Sequence, residues 1–254
     1  MSLPITAHTL KQMKAKGERF ATLTAYDASF AQLSAEAGVE VLLVGDSLGM
    51  VIQGQESTLP VTMEEMIYHT RSVRRGSGNS LVMVDMPFMS GNSPQQALDN
   101  AGRLMKEGGA HMVKLEGGVD QADTVSALSR NGIPVCAHLG LQPQYVHKIG
   151  GYRVQGREDA AAEQMLSDAL TLQQAGADMM LLECVPECLA GKITAALDIP
   201  VIGIGASAEC DGQILVLYDI LDISIGLRPK FSKNFMASSN SIEDAIIPTA
   251  GAGA

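Results

Sequence analysis

The chain has 254 residues, 46% of them hydrophobic, and a formal net charge of −10 at pH 7. That acidic balance argues against a sequence-independent nucleic-acid binder, which needs a basic face; the one basic run, at 71–75, reads as two turns of exposed helix. No apolar run approaches the roughly 18 residues of a membrane-spanning helix, and the first twenty residues lack the apolar centre of a secretory leader, so a soluble cytoplasmic protein is expected.

The N-terminal stretch reads as a short amphipathic helix, with Thr6 or Thr9 as its cap. An apolar run at 20–27 predicts a first strand, and a helical segment follows from Ser29 to Gly38. A second strand at 39–46 ends in Asp46 and Ser47, and a long connection, 47–61, follows it. Thr62, with Glu65 three residues later, forms a capping box at the start of the next helix. A third strand is predicted at 81–88, then a helix capped by Ser93 with Pro94 at its first position and Gly108 at its end. Strands at 111–117 and 133–140 precede a second long connection, 141–157. A helical stretch ending in Ala175-Gly176-Ala177 leads to strands at 178–185, 199–206 and 214–221. The final segment, 246–254, has low complexity and reads as a frayed tail.

Most of these strands are near-continuous apolar runs rather than strict alternations, as expected of parallel strands buried on both faces. Before four of them the sequence reads AGV, GGA, NGI or AGA, a glycine ending one helix and feeding the next strand. Eight β/α alternations in this length fit a (β/α)8 TIM barrel better than an open doubly wound sheet. At 26.8 kDa, area scaling gives about 11,000 Å² folded against about 39,000 Å² unfolded, enough burial for a large core without staples. No domain-scale linker interrupts residues 1–254, so one barrel domain is expected.

In such a barrel the strand C-termini form the functional rim. There the sequence places Asp46 and Ser47, Asp85, Lys114 and Glu116, His138, and Glu183 on five successive strands. Any single strand can end in a polar residue without functional meaning. Five successive strands that each bring an ionisable group to one end, most of them flanked by apolar residues, are harder to dismiss, because buried charges are paired or metal-bound. Asp46, Asp85 and Glu116 are hard oxygen donors and favour Mg²⁺ over zinc. Lys114 would offset an anionic substrate. Glu183, inside LLECV, should have its pKa raised by desolvation toward that of a general base. His138, neutral near pH 7, can donate to a developing enolate oxygen. Together they suit deprotonation alpha to the carbonyl of a keto acid.

Other features weigh less. Cys184 and Cys188 have no second pair to complete a zinc site, and all four cysteines read as reduced. GIGAS at 203–207 completes no GxGxxG, so tight packing explains it better than a phosphate cradle. His8, His69 and His111 are isolated and read as structural, and the 14 methionines as core filling. GGYRVQGR at 150–157 is either a mouth loop or a merely packed one.

The motifs LTAYD (23–27), VGDSLGM (44–50), TLPVT (58–62), IYHTR (67–71), VKLEGG (113–118), HLGLQPQ (138–144), GGYRVQGR (150–157), LLECVP (181–186) and IGIGA (202–206) closely resemble the ketopantoate hydroxymethyltransferase family, in order over roughly 5–240. The resemblance implies a barrel of the phosphoenolpyruvate/pyruvate superfamily. It implies transfer of a hydroxymethyl group from 5,10-methylenetetrahydrofolate to 3-methyl-2-oxobutanoate, giving 2-dehydropantoate for pantothenate and coenzyme A synthesis. By family pattern Asp46 and Asp85 match metal carboxylates, with Glu116 the third, directly or through water. Asp46, Ser47, Asp85 and Lys114 match keto-acid contacts, Glu183 the general base and His138 a site histidine. Cytoplasmic homo-oligomers, typically decamers of two pentameric rings, are implied as well.

The chain departs from the family pattern at Gly91, at Ser207, and after SIEDA, where a longer helix is usual. Two rival readings are weaker. A lyase or mutase of the same superfamily would carry other loop motifs, including a KKCGH-type cysteine loop that is missing here. A non-catalytic barrel would have no need of the charged rim.

Overall fold

The computed structural model describes residues 3–225 and 228–251. Eight parallel strands close into a barrel in sequence order: β1 Phe20–Thr24, β2 Val41–Val44, β3 Leu81–Asp85, β4 Met112–Glu116, β5 Val135–Gly140, β6 Met179–Glu183, β7 Val201–Ile204 and β8 Gly212–Leu215. The (β/α)8 architecture expected from the sequence is thus what the chain adopts. Its exposed surface, 11,530 Å², agrees with the area expected from its mass.

Successive strand residues point to opposite faces, and both faces are buried. Phe20, Val41, Leu43, Leu81, Met83, Met112, Cys136, Met179, Leu181, Ile202 and Ile214 fill the barrel interior. Leu23, Leu42, Val44, Val82, Val84, Val113 and Leu182 pack outward with the surrounding helices. This double burial is why the strands read as unbroken apolar runs. The helix Ala7–Lys16 contributes Leu10 to the interior cluster, with Ile5, Ala7 and Met13 packed beside it.

The punctuation behaves as its chemistry predicts. Thr6 caps the first helix through a reciprocal box with Thr9; Thr62 does so with Glu65; Ser93 caps the helix that has Pro94 at its start. Gly38, Gly109, Gly132 and Gly176, one in each of the four recurring tripeptides, all have positive φ. There a side chain would strain the turn out of the helix.

Three expectations need correction. The eighth strand is Gly212–Leu215 rather than 214–221, and Leu217–Ile220 is a helical turn. Leu217 and Ile220 are both fully buried, and a buried apolar run of this length satisfies helix and strand equally well. No helix lies between β7 and β8, which are joined by residues 205–211 alone. Seven residues fall short of the dozen or so of a usual crossover. Finally, the tail expected to fray from 246 continues as the helix Ile242–Gly251. Its Ala245 and Ile246 are fully buried, and the helix packs on β1 and on the helix Ala28–Glu36. Residues 252–254 lie outside the described residues.

Candidate active site

The inward side of the strands passes from hydrocarbon to charge at the C-terminal rim. On β3 inward Met83 is followed two residues later by Asp85; on β4 Met112 by Lys114 and Glu116; on β5 Cys136 by His138; on β6 Leu181 by Glu183. The period of two puts each polar group above an apolar plug. Strand register then aligns them, with Asp85 opposite Lys114 and Glu116 opposite His138.

On β2 the inward position above Leu43 is Gly45. A Cβ there would stand 2.7 Å from Ser47 Oγ and 3.4 Å from Asp85 Oδ2. Its absence lets the chain turn inward just past the strand, and the Asp46 backbone N–H donates to Asp85 Oδ2 at 2.9 Å.

Asp46, Asp85, Lys114, Glu116 and His138 are all at most 5% exposed. Lys114 Nζ lies 2.8 Å from Asp85 Oδ1 and 3.9 Å from Glu116 Oε1. It donates to His138 Nδ1 at 3.2 Å, which places the ring hydrogen on Nε2. That atom faces Glu183 Oε2 at 3.3 Å, yet it makes no hydrogen bond. Asp85 Oδ1 is held by the Lys114 ammonium at 2.8 Å. The buried His138 donor is therefore left open at the centre of the site.

Electrostatics follow from packing four carboxylates around one ammonium. Burial, then the charges of Asp85 and Glu116, hold the Asp46 carboxyl well above its ordinary range. Burial pushes Glu116 up to about 8, against the pull of Lys114. Burial likewise pushes Glu183 up to about 7. Burial works against the Lys114 ammonium, but Asp85, Glu116 and Asp46 outweigh it and the net displacement is upward. Burial, reinforced by Lys114, keeps His138 well below its ordinary pKa and hence neutral.

Two residues here were not singled out from the sequence. Tyr26, just past β1, places its hydroxyl 2.9 Å from Ser47 Oγ, while its own carbonyl accepts from His69 Nδ1. Gln144, in the long connection after β5, gives its side-chain amide to Asp46 Oδ2 at 2.8 Å and to the Met86 carbonyl at 2.9 Å. Its backbone N–H donates to Glu116 Oε2 at 3.1 Å. The unusual length of that connection was the available signal; nothing in spacing marks which glutamine turns inward. The histidines read as structural are so engaged: His8 with Gln12, His69 with the Tyr26 carbonyl and His111 with the Val82 N–H.

A hard dication suits this donor set. Among the described residues no three acidic, His or Cys side chains close round one point as a ready-made cage. Mg²⁺ usually takes one or two carboxylates and keeps waters that substrate oxygens replace. The excess of carboxylate over ammonium calls for a cation. Glu116 has Oε2 taken by Gln144 and Oε1 turned toward Lys114 and His138, which suits contact through water. Two surface cavities, of about 460 and 730 Å³, lie away from these residues, lined among others by Lys11 and Asp178 and by Arg19 and Phe231.

The family model described as ketopantoate hydroxymethyltransferase matches residues 4–248. The 3-methyl-2-oxobutanoate hydroxymethyltransferase of Nitrosococcus oceani is 62% identical over 242 residues, covering 95% of this chain and 92% of that protein. The protein of the same name from Alkalilimnicola ehrlichii is 60% identical, covering 96% and 88%. Among solved structures, phosphoenolpyruvate phosphomutase from Streptomyces platensis subsp. rosaceus superposes with a TM-score of 0.64 at 15% identity, over 85% of this chain and 83% of its own. Phosphonopyruvate hydrolase in complex with oxalate and Mg²⁺ superposes at 0.62 and 10% identity, over 83% and 80%. At such identities these two speak for the fold alone. No helix among the described residues is long and apolar enough to cross a membrane.

Proposed function

The chain belongs to the ketopantoate hydroxymethyltransferase family, and from that premise we propose that it moves a one-carbon unit from 5,10-methylenetetrahydrofolate to 3-methyl-2-oxobutanoate by metal-assisted enolisation at the rim site. The observation that carries the mechanism is the buried His138 Nε2–H, left without a hydrogen bond beside Glu183 and next to carboxylates that outnumber their one ammonium. The donor awaits an oxygen, and the excess of carboxylate over ammonium awaits a further cation.

Asp46 and Asp85 would hold Mg²⁺, with Glu116 acting through water. The bound dication would supply Lewis-acid polarisation of the keto acid's carbonyl. Lys114 and Ser47 bind the substrate's oxygens, Lys114 by charge and Ser47 as a hydroxyl oriented by Tyr26. Glu183, poised near neutrality, removes the C3 proton. His138 Nε2–H donates to the oxygen that gains charge as the enolate forms. Water adds to the donor's methylene carbon and tetrahydrofolate leaves, freeing formaldehyde; the C3 electron pair forms the new C–C bond to that carbon as its C=O π pair moves onto oxygen. The proton held by Glu183 goes to the new alkoxide, completing 2-dehydropantoate.

On this reading the enzyme works in the cytoplasm, in pantothenate and coenzyme A synthesis, as a homo-oligomer of the decameric kind. The test is product formation from purified protein, 3-methyl-2-oxobutanoate and methylenetetrahydrofolate. 2-Dehydropantoate should appear with Mg²⁺, stop on chelation and return when Mg²⁺ is restored. Formation that survives complete chelation would exclude the metal-assisted route.

A further inference from the structure

The carbon that Glu183 deprotonates must be met by a second, larger reactant arriving from the barrel mouth. The connection after β5 is tied to the end of β6, with the Leu141 N–H donating to the Glu183 carbonyl at 2.8 Å. The backbone N–H of Gln155 donates at 2.9 Å to the carbonyl of Cys184, the residue next to Glu183. Gly150, Gly151 and Gly156, all with positive φ, bracket the segment between. Such backbone suits a flap whose course is set by glycines while its side chains face outward.

Those side chains have a definite character. Residues 141–157 contain His147, Lys148, Arg153 and Arg157 and no carboxylate, in a chain of net charge −10. All four are exposed, and none makes an ion pair among the described residues. Tyr152, 54% exposed, reaches across to the other long connection, its hydroxyl 3.7 Å from Met50 Sδ. Val154 beside it is also exposed. Partial burial, and then the charges of Glu183, Asp46 and Glu116, push the Tyr152 phenol up. The small keto acid has its own cation in buried Lys114. The rim charges are therefore surplus to it.

We propose that residues 147–157 seat the one-carbon donor: Tyr152 offers its ring to a flat heteroaromatic system, and Arg153 and Arg157 pair with the carboxylates of an acidic tail. The assignment rests on the folate reading above. An aromatic face beside exposed apolar surface suits offset stacking, and unpaired rim arginines both steer and hold an anion.

The test is equilibrium binding of tetrahydrofolate to the full-length protein loaded with Mg²⁺ and 3-methyl-2-oxobutanoate, at two salt concentrations, with melting temperature as the check on folding. Arg153→Gln combined with Arg157→Gln should weaken binding about five-fold or more at low salt and flatten the salt dependence. Tyr152→Leu should weaken it by a similar factor at both salt concentrations. An unchanged dissociation constant in folded variants of both kinds, or no binding by the unaltered protein, would overturn the assignment. Failure of the folate reaction reads separately. Binding that depends on these arginines without formation of 2-dehydropantoate supports the seat and removes only the proposed transfer.

Discussion

His138 Nε2 faces Glu183 Oε2 across 3.3 Å without hydrogen-bonding to it. The two side chains come from adjacent strands: His138 is registered against Leu181, and Glu183 against Gly140. The offset sets a carboxyl whose pKa is about 7 beside a neutral N–H donor that makes no hydrogen bond. His138→Phe keeps the bulk and removes the donor. It should lower kcat by about 100-fold or more, in the range of a lost oxyanion donor, with a smaller change in KM for the keto acid. A loss confined to KM would mean that the ring only binds.

Proton abstraction requires the ionised form of Glu183. With its pKa raised to about 7, deuterium exchange at C3 of 3-methyl-2-oxobutanoate should rise with pH through the neutral range and then level off. Asp46 and Glu116 are also raised, so Mg²⁺ must displace protons to bind near pH 7. Calorimetry in buffers of different ionisation enthalpy should register proton release, and affinity should increase with pH. Affinity independent of pH between 6 and 8 would contradict this.

Lys114 is the ammonium amid these carboxylates. Lys114→Met should destabilise the metal-free protein, and by more at pH 8 than at pH 5.5. The sign follows from linkage: carboxyls left without their cation have folded pKa values further above the unfolded ones, so the folded state holds extra protons and loses stability as pH rises. Urea unfolding at the two pH values measures the difference; an equal loss at both would mean that Lys114 acts by packing.

Gln144 donates to Asp46 Oδ2 without belonging to the proposed ligand set. Gln144→Leu should weaken Mn²⁺ or Mg²⁺ binding by about 10-fold or more, as removal of such outer hydrogen bonds typically does, while melting temperature changes little. Unaltered metal affinity would confine Gln144 to holding its loop.

Gly45→Ala tests the turn that delivers Asp46. The added methyl would stand 2.7 Å from Ser47 Oγ, so Ser47 must shift and its contact with Tyr26 must loosen. KM for the keto acid should rise several-fold, and a variant with unchanged KM would show that Ser47 does not bind substrate.

The barrel was legible because its signals are local. Apolar runs marked the strands, and glycines and caps such as Thr62 and Ser93 marked the helix ends. The rim was legible because Asp85, Lys114, Glu116, His138 and Glu183 continue the inward period of strands whose lower residues are hydrocarbon. Asp46 follows another logic, since it lies beyond its strand and turns in only because Gly45 is bare. Gln144 and Tyr26 escaped notice because their roles depend on where a loop folds back and on one side-chain contact. The eighth strand was misplaced because Leu217 and Ile220 are apolar and buried, and burial alone does not distinguish a helical turn from a strand.

The central claim is that Glu183 takes the C3 proton of a keto acid held by the metal site and Lys114. The direct measurement is exchange at C3 of 3-methyl-2-oxobutanoate in deuterated water with Mg²⁺ and no folate, for the unaltered protein and for Glu183→Gln, with keto-acid binding measured in parallel. The account predicts ready exchange by the first, none above background by the second, and binding retained in both. Exchange persisting in Glu183→Gln at a rate within about ten-fold of the unaltered protein would contradict it.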